Sequence, residues 1–303
     1  MPDPHVRSGL FVGLATLDVI HRVQAPPGPD EKITATAQFV AAGGPAANAA
    51  VTFAALGGEA VLLTALGTSP IARAIVAELA GVGVRVIDIA EGFGGDAPVS
   101  AVAVTESTGD RAVVGGDAAA LVFPPPPADE LADLVGAADV VLVDGHHPLL
   151  ALAAVDAARA ADRPRVVDAG RWKPVMAELL LRVTDVVASA DFRLPGSPST
   201  DDTMRRLVAA GTPVVVATAG RGPVRWWTEG RGGRSPVPHV RAVDTLGAGD
   251  VFHGAYAYAL ARGVPLEGRI AFAARVAAAR CEMIGPRSWL HAVAGIALGE
   301  GDS

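Results

Sequence analysis

The sequence predicts an α/β fold: a mostly parallel central sheet packed with helices, and a small β-sheet lid over one edge. Three observations carry that expectation. Short runs rich in Val, Leu and Ile alternate with Ala-rich helical stretches, the rhythm of buried parallel strands joined by crossover helices. Two stretches break that rhythm with paired, strand-like segments. The chain has 303 residues, long for one core and short for three, which fits a single α/β domain over 1–303.

Taken along the chain, strands are expected at 9–14, 60–65, 84–89, 140–143, 165–167, 185–188 and 213–217, where apolar runs end in turns or acids. Helices are expected at 45–56, 71–80 and 149–161, and another over 254–261. The lid strands fall within about 18–40 and 98–115: 18–23 with 33–40, and 99–104 with 111–114 around a Thr108-Gly109-Asp110 turn. Ordinary surface hairpins would leave the same pattern. The run 124–127 reads as a rigid loop before a helix, and 299–303 as a frayed tail.

With 25 Lys+Arg against 32 Asp+Glu the net charge is −7, which argues against nucleic acid or an anionic membrane as partner and leaves a small molecule. The single cysteine, Cys281, cannot close an internal disulfide, so a reducing cytoplasm is the expected location. The opening residues lack the basic cluster and apolar core of a secretory signal. The uncharged stretch 33–58 is broken by Gly43, Gly44, Pro45 and Asn48, hence loop and buried helix rather than a membrane span.

The strongest chemical signal is Asp244-Thr245-Leu246-Gly247-Ala248-Gly249-Asp250, running into a helix. Small residues at Gly247, Ala248 and Gly249 expose backbone N–H groups at a helix N-terminus, an anion site that suits phosphate. Asp250 falls in the first helical turn, where a carboxylate could take a proton from an attacking hydroxyl; together they suggest phosphoryl transfer. An acid favoured there by the helix dipole alone is the competing explanation. In that exposed turn, exchanging Asp250 for Asn is expected to cost only about 0.3–1 kcal/mol.

A second cluster, Gly43-Gly44-Pro45-Ala46-Ala47-Asn48, follows a lid strand and opens a helix, with Asn48 directed at the same edge; a tight turn with a capping amide is the alternative. Asp18, just after the first strand, could bind hydroxyls through both oxygens, or be a turn acid. No GxxxxGK[ST] loop and no dinucleotide fingerprint occurs. His146 and His147 are adjacent and do not face one ligand; His253 shares a helix face with Asp250 and is expected to pack beside it.

DTLGAGD at 244–250 and GGPAANAAVTFAALG at 43–57, about 200 residues apart and in order, resemble the two signatures of ribokinase-like (PfkB) carbohydrate kinases, and the resemblance covers essentially the whole chain. It implies a ribokinase-like three-layer sandwich with a β lid, ATP as donor with Mg²⁺, and a small sugar as acceptor. By that resemblance Asp250 is the base and Gly247, Ala248 and Gly249 the anion hole. Asp18, Gly43, Gly44 and Asn48 become sugar contacts, Asp144 a further acidic contact, and Thr218, Gly220 and Gly222 the nucleotide-side turn. Asp244 and Thr245 stand where relatives order a monovalent cation such as K⁺.

Two departures stand out. Ser189-Ala190-Asp191-Phe192 replaces the family's Asn-x-x-Glu, leaving Asp191 or a water network as its substitute, and Gly67-Thr68-Ser69-Pro70 replaces a glycine and acid pattern. The segment 13–20 resembles ketohexokinases, and 250–255 resembles sulfofructose kinases, so the resemblance implies a ketose or related sugar phosphorylated on a hydroxymethyl group. A nucleoside kinase of the same fold, and a catalytically weak sugar-binding regulator, remain as alternatives. Free lid edges are expected to be covered in a homodimer joined through the lids. The lid is expected to close on the sugar to exclude water.

Overall fold

The computed structural model describes residues 6–116, 118 and 122–298, so the tail expected at 299–303 lies outside the described residues. Strand β1 (Ser8–Val12) leads into the lid pair β2 (Thr16–Val23) and β3 (Ala37–Gly43), then helix α1 (Pro45–Ala55), β4 (Glu59–Thr64), α2 (Pro70–Gly81) and β5 (Val84–Asp88). The second lid pair, β6 (Val99–Thr105) and β7 (Arg111–Gly115), precedes α3 (Ala128–Gly136), β8 (Val140–Val143), α4 (Pro148–Ala160), β9 (Arg165–Ala169) and α5 (Met176–Leu179). The remainder is β10 (Asp185–Ala188), α6 (Thr200–Ala209), β11 (Val214–Ala219), β12 (Gly222–Thr228), β13 (Arg231–Ser235), α7 (Ala248–Ala261), α8 (Leu266–Cys281) and α9 (Leu290–Val293).

Nine of these strands form one sheet in the order β13-β12-β11-β10-β9-β8-β1-β4-β5, parallel from β5 to β11 and antiparallel over β11-β12-β13. Strand alternation divides the core. Phe11, Leu62 and Leu142 face Phe53 of α1, Tyr256 of α7 and Phe272 of α8. Leu10, Val12, Leu63, Val141 and Val143 face Leu131 of α3, Leu150 of α4 and Met204 of α6. The result is helix, sheet, helix, the three layers expected.

The lid is a separate four-stranded sheet, β3-β2-β6-β7, in which β2 runs antiparallel to β3 and parallel to β6. Residues 33–36, expected in a strand, precede β3, which instead runs on to Gly43 and so delivers the chain directly to α1. Gly109 turns the β6–β7 hairpin with φ 70°. The Gly67–Pro70 segment is a helix start: Ser69 Oγ accepts from Ala72 N at 3.1 Å and caps α2. Strands β12 and β13 were not expected, because GPVRWWT and RGGRS carry little apolar alternation; they close the sheet edge with Arg231 laid over Trp226 at 5.7 Å.

Strand β1 pairs with β4 on one side and β8 on the other, so the sheet's order reverses there. In such sheets a crevice opens beyond the carboxyl ends of the strands at that point. The lid, α1 and α7 all converge on it.

Candidate active site

At the base of the crevice Gly247 adopts φ 72° and caps α7, a conformation that glycine takes at no steric cost. The N–H of Ala248 turns back to the carbonyl of Thr245 at 3.2 Å, so this one amide of the expected cradle is spent internally. The N–H groups of Gly249 and Asp250 belong to the first turn and have no helical carbonyl behind them. The N–H groups of Gly249 and Asp250 therefore stand at the positive end of the α7 dipole.

Asp250 is only partly exposed, and its Oδ2 accepts a 2.9 Å hydrogen bond from Asn48 Nδ2 across 202 residues of sequence. Desolvation, and next the nearby Asp168 carboxylate, raise its pKa from 3.8 to about 6; Asn48, His253 and Arg111 pull the other way. Asp168, Asp250 and His253 bring one polar atom each within 4.8 Å of one another. His253 is buried, its Nε2 3.1 Å from the carbonyl of Val187 and its Nδ1 3.5 Å from Asp168 Oδ2. The exposed turn expected for Asp250 is thus corrected: two buried neighbours crowd it from the helix-facing side.

Across the crevice, Asp18 projects from β2 with 9% exposure, and Thr16 Oγ1 donates to its Oδ1 at 2.6 Å. Burial raises its pKa, against the pull of Thr16, Ser100 and Arg287. Its carboxylate lies over Gly43, where an ideal Cβ would come within 2.0 Å of Oδ2. Gly43→Ala must push aside the whole Asp18 carboxyl group, which is buried and held by Thr16. Stability should fall by about 1–3 kcal/mol, while the KM for the accepted sugar rises and that for ATP does not; an unchanged sugar KM would show that Asp18 does not hold the acceptor.

Asp18, Ile20, Asn48, Leu246, Gly247 and Arg287 line the pocket between lid and cradle. Arg287 was not anticipated. Its guanidinium donates to Glu78 Oε1 at 2.7 Å, to the carbonyl of Ala42 at 2.7 Å and to Asn48 Oδ1 at 3.4 Å. It thereby braces both Asn48 and the end of β3. Gly44, with φ 97°, is the N-cap of α1 and sets Asn48 one turn in.

Asp144 does not reach this pocket. It is 1% exposed, and its oxygens accept from the N–H groups of Leu14 (2.9 Å), Ala46 (3.2 Å) and His146 (2.9 Å). Burial alone would raise its pKa, but the charge and hydrogen bond of His146, with Lys173, hold it well below the usual carboxylate range. The expected acidic sugar contact is instead a clamp joining the ends of β1 and β8 to the start of α1.

At the turn expected on the nucleotide side, Thr218 is the next-to-last residue of β11 and its Oγ1 donates to the carbonyl of Ala188 at 3.3 Å. Gly220 turns at φ 57°, and Gly222 begins β12. Asp191 is exposed after β10, its N–H held by Ser189 Oγ at 3.2 Å and its carboxylate bonded to nothing among the described residues. An unspent carboxylate at that edge fits a hydrated magnesium ion.

The donor set at Asp244 does not fit an alkali ion. Asp244 is 3% exposed; Oδ1 accepts from Leu246 N (3.0 Å), and Oδ2 from Gly285 N (3.1 Å) and Arg280 Nη2 (3.2 Å). Thr245 is likewise engaged, its Oγ1 donating to the carbonyl of Gly109 at 2.7 Å and so latching the lid hairpin to the cradle loop.

The mostly parallel sheet and β lid thus bring the two sequence signatures, 43–57 and 244–250, together at one crevice, joined there by the Asn48–Asp250 hydrogen bond. The profile of pfkB family carbohydrate kinases matches residues 7–292, and the chain belongs to that family. It is 27% identical to a ribokinase of Arabidopsis thaliana over 91% of this chain and 76% of that one. It is 26% identical to the ketohexokinase of Mus musculus over 91% and 96%. The structure of Arabidopsis thaliana ribokinase complexed with ribose and ATP shares the fold with a TM-score of 0.78 at 22% identity, over 96% of this chain and all of that chain (100%).

Proposed function

We propose that this sugar kinase transfers the γ-phosphate of ATP to a hydroxymethyl group of a ketose or related sugar. The observation that carries the reading is the placement of Asp250: in the first turn of α7 and hydrogen-bonded to Asn48, which lines the same pocket as Asp18. Asp18, Asn48 and the backbone at Gly43 and Gly44 would hold the acceptor hydroxyls. Asp250 would take the proton of the attacking hydroxyl as its oxygen reaches phosphorus. The amides of Gly247 and Gly249 would stabilise charge on the transferring group.

The turn from Thr218 to Gly222 would receive the nucleotide. Magnesium bound with ATP would neutralise charge on the phosphates, and Asp191 is the residue that would hold it, through water. Ile20, Leu246, Val251, Pro286 and Trp289 furnish the apolar part of the pocket wall, and Trp289, 2% exposed, offers little ring face for a nucleobase to stack on. The test is ADP release with ATP and Mg²⁺ against ketoses, aldoses and nucleosides. Turnover with a ketose supports the reading; turnover with nucleosides alone overturns the acceptor class, and none with any member overturns the kinase reading for small sugars.

We further propose that the lids pair in a homodimer. Val40 and Val114 are 57% and 77% exposed, and the register Val40–Val19–Ala101–Val114 puts them on one face of the lid, an apolar surface that a second lid would cover. Sedimentation at micromolar protein should give twice the chain mass, and Val114→Lys should halve it. A monomer throughout would remove this assembly.

A further inference from the structure

Arg280 ends in an unusual place for a guanidinium. It lies in the last turn of α8, is 2% exposed, and reaches the cradle loop at Asp244 from the wall of the pocket between lid and cradle. Nη2 pairs with Asp244 Oδ2 at 3.2 Å, while Nη1 donates to the carbonyl of Met283 at 2.8 Å and lies 3.4 Å from the carbonyl of Asp244. One carboxylate and two carbonyl oxygens converge on a single buried positive charge. Those are the hard oxygen donors that an alkali ion would need, and they are spent.

The same loops are sewn together around that charge. Val243 N and Asp244 N donate to the carbonyl of Cys281 at 2.8 and 3.3 Å, and Gly285 N and Leu246 N to the two oxygens of Asp244. Leu246 immediately precedes Gly247, so the position of Asp244 sets the orientation of the cradle amides. Without a cation the buried Asp244 carboxylate would be unpaired, and it would set a negative charge behind the amides meant to receive a phosphoryl group.

We propose that Arg280 is a built-in cation: its guanidinium supplies the charge and the oxygen contacts of a monovalent ion, so that the cradle loop is ordered without K⁺. Arginine suits the task because it is always charged and its planar fork reaches several acceptors at once. Arg280 acts through Asp244 and is a positioning residue. Only the turnover arm of its test rests on the kinase reading above.

The experiment compares melting and turnover of the protein in KCl and in tetramethylammonium chloride at equal ionic strength. Wild type should melt and turn over alike in both salts. Arg280→Ala should melt at least about 5 °C lower in tetramethylammonium and recover part of that loss as KCl is added, as expected for a ligand that binds only the folded state. A potassium-specific rise in wild-type melting or turnover overturns the proposal, as does an Arg280→Ala protein that K⁺ leaves unrestored. If that variant does not fold, the wild-type comparison decides by itself. If no sugar gives turnover while wild-type melting stays indifferent to K⁺, the kinase reading fails and the assignment of Arg280 stands on the melting arm.

Discussion

Asp250→Asn should lower turnover by about 10²–10⁴ and at the same time raise thermal stability. Asparagine keeps the size of the side chain and can still accept from Asn48, but it cannot take a proton. The native pKa of about 6 lies above the ordinary 3.8, so folding favours the protonated form. Ionised Asp250 therefore costs stability fully above pH 6, and the cost shrinks as pH falls from about 6 toward 3.8. At about 1.4 kcal/mol per unit, the neutral amide should relieve about 1–3 kcal/mol at pH 8. Melting curves at pH 8 and pH 5 check this: the variant's gain should be present at the first and smaller at the second. The wild-type kcat/KM should also fall about tenfold per pH unit below 6. A variant that is active, or whose stability tracks wild type at every pH, would return Asp250 to the role of a dipole-favoured acid.

Asp144→Ala should be the most destabilising single change near the crevice, at about 3–5 kcal/mol. It leaves the N–H groups of Leu14, Ala46 and His146 without an acceptor in a dry interior. Because the folded pKa is depressed, the stabilisation is complete above the ordinary carboxylate range and is lost only as pH falls through the folded value; neutral pH is therefore the right place to look. Urea unfolding at pH 7 should show a lower midpoint with an unchanged slope. An unchanged midpoint would mean that the clamp carries no stability.

The parallel core was legible because each strand is a short, nearly continuous apolar run, and burial on both faces requires that pattern. Strands β12 and β13 lie at the sheet edge, where GRGGRS can pair through its backbone without apolar side chains, so composition concealed them. Around the crevice, DTLGAGD announced its chemistry because small residues, an acid and a helix start are contiguous. Asp144 misled: an acid just after a parallel strand can face the crevice or turn inward, and only the approach of Leu14 and Ala46 decides which. Asp168, Arg280 and Arg287 were missed for a related reason, since each acts on a residue far away in sequence; Arg287 meets Glu78 across 209 residues. At Asp244, too, the partner is distant in sequence, a guanidinium 36 residues along the chain.

The central claim, phosphoryl transfer to a sugar hydroxymethyl group, is tested most directly by proton-coupled ³¹P NMR of the product mixture from ATP, Mg²⁺ and the ketose that gives most ADP. A phosphate ester on a methylene carbon couples to two protons, so the account predicts a new phosphomonoester triplet that grows in step with ADP and is absent with Asp250→Asn. Inorganic phosphate as the sole new resonance, or a doublet from a ring carbon bearing one proton, would contradict it.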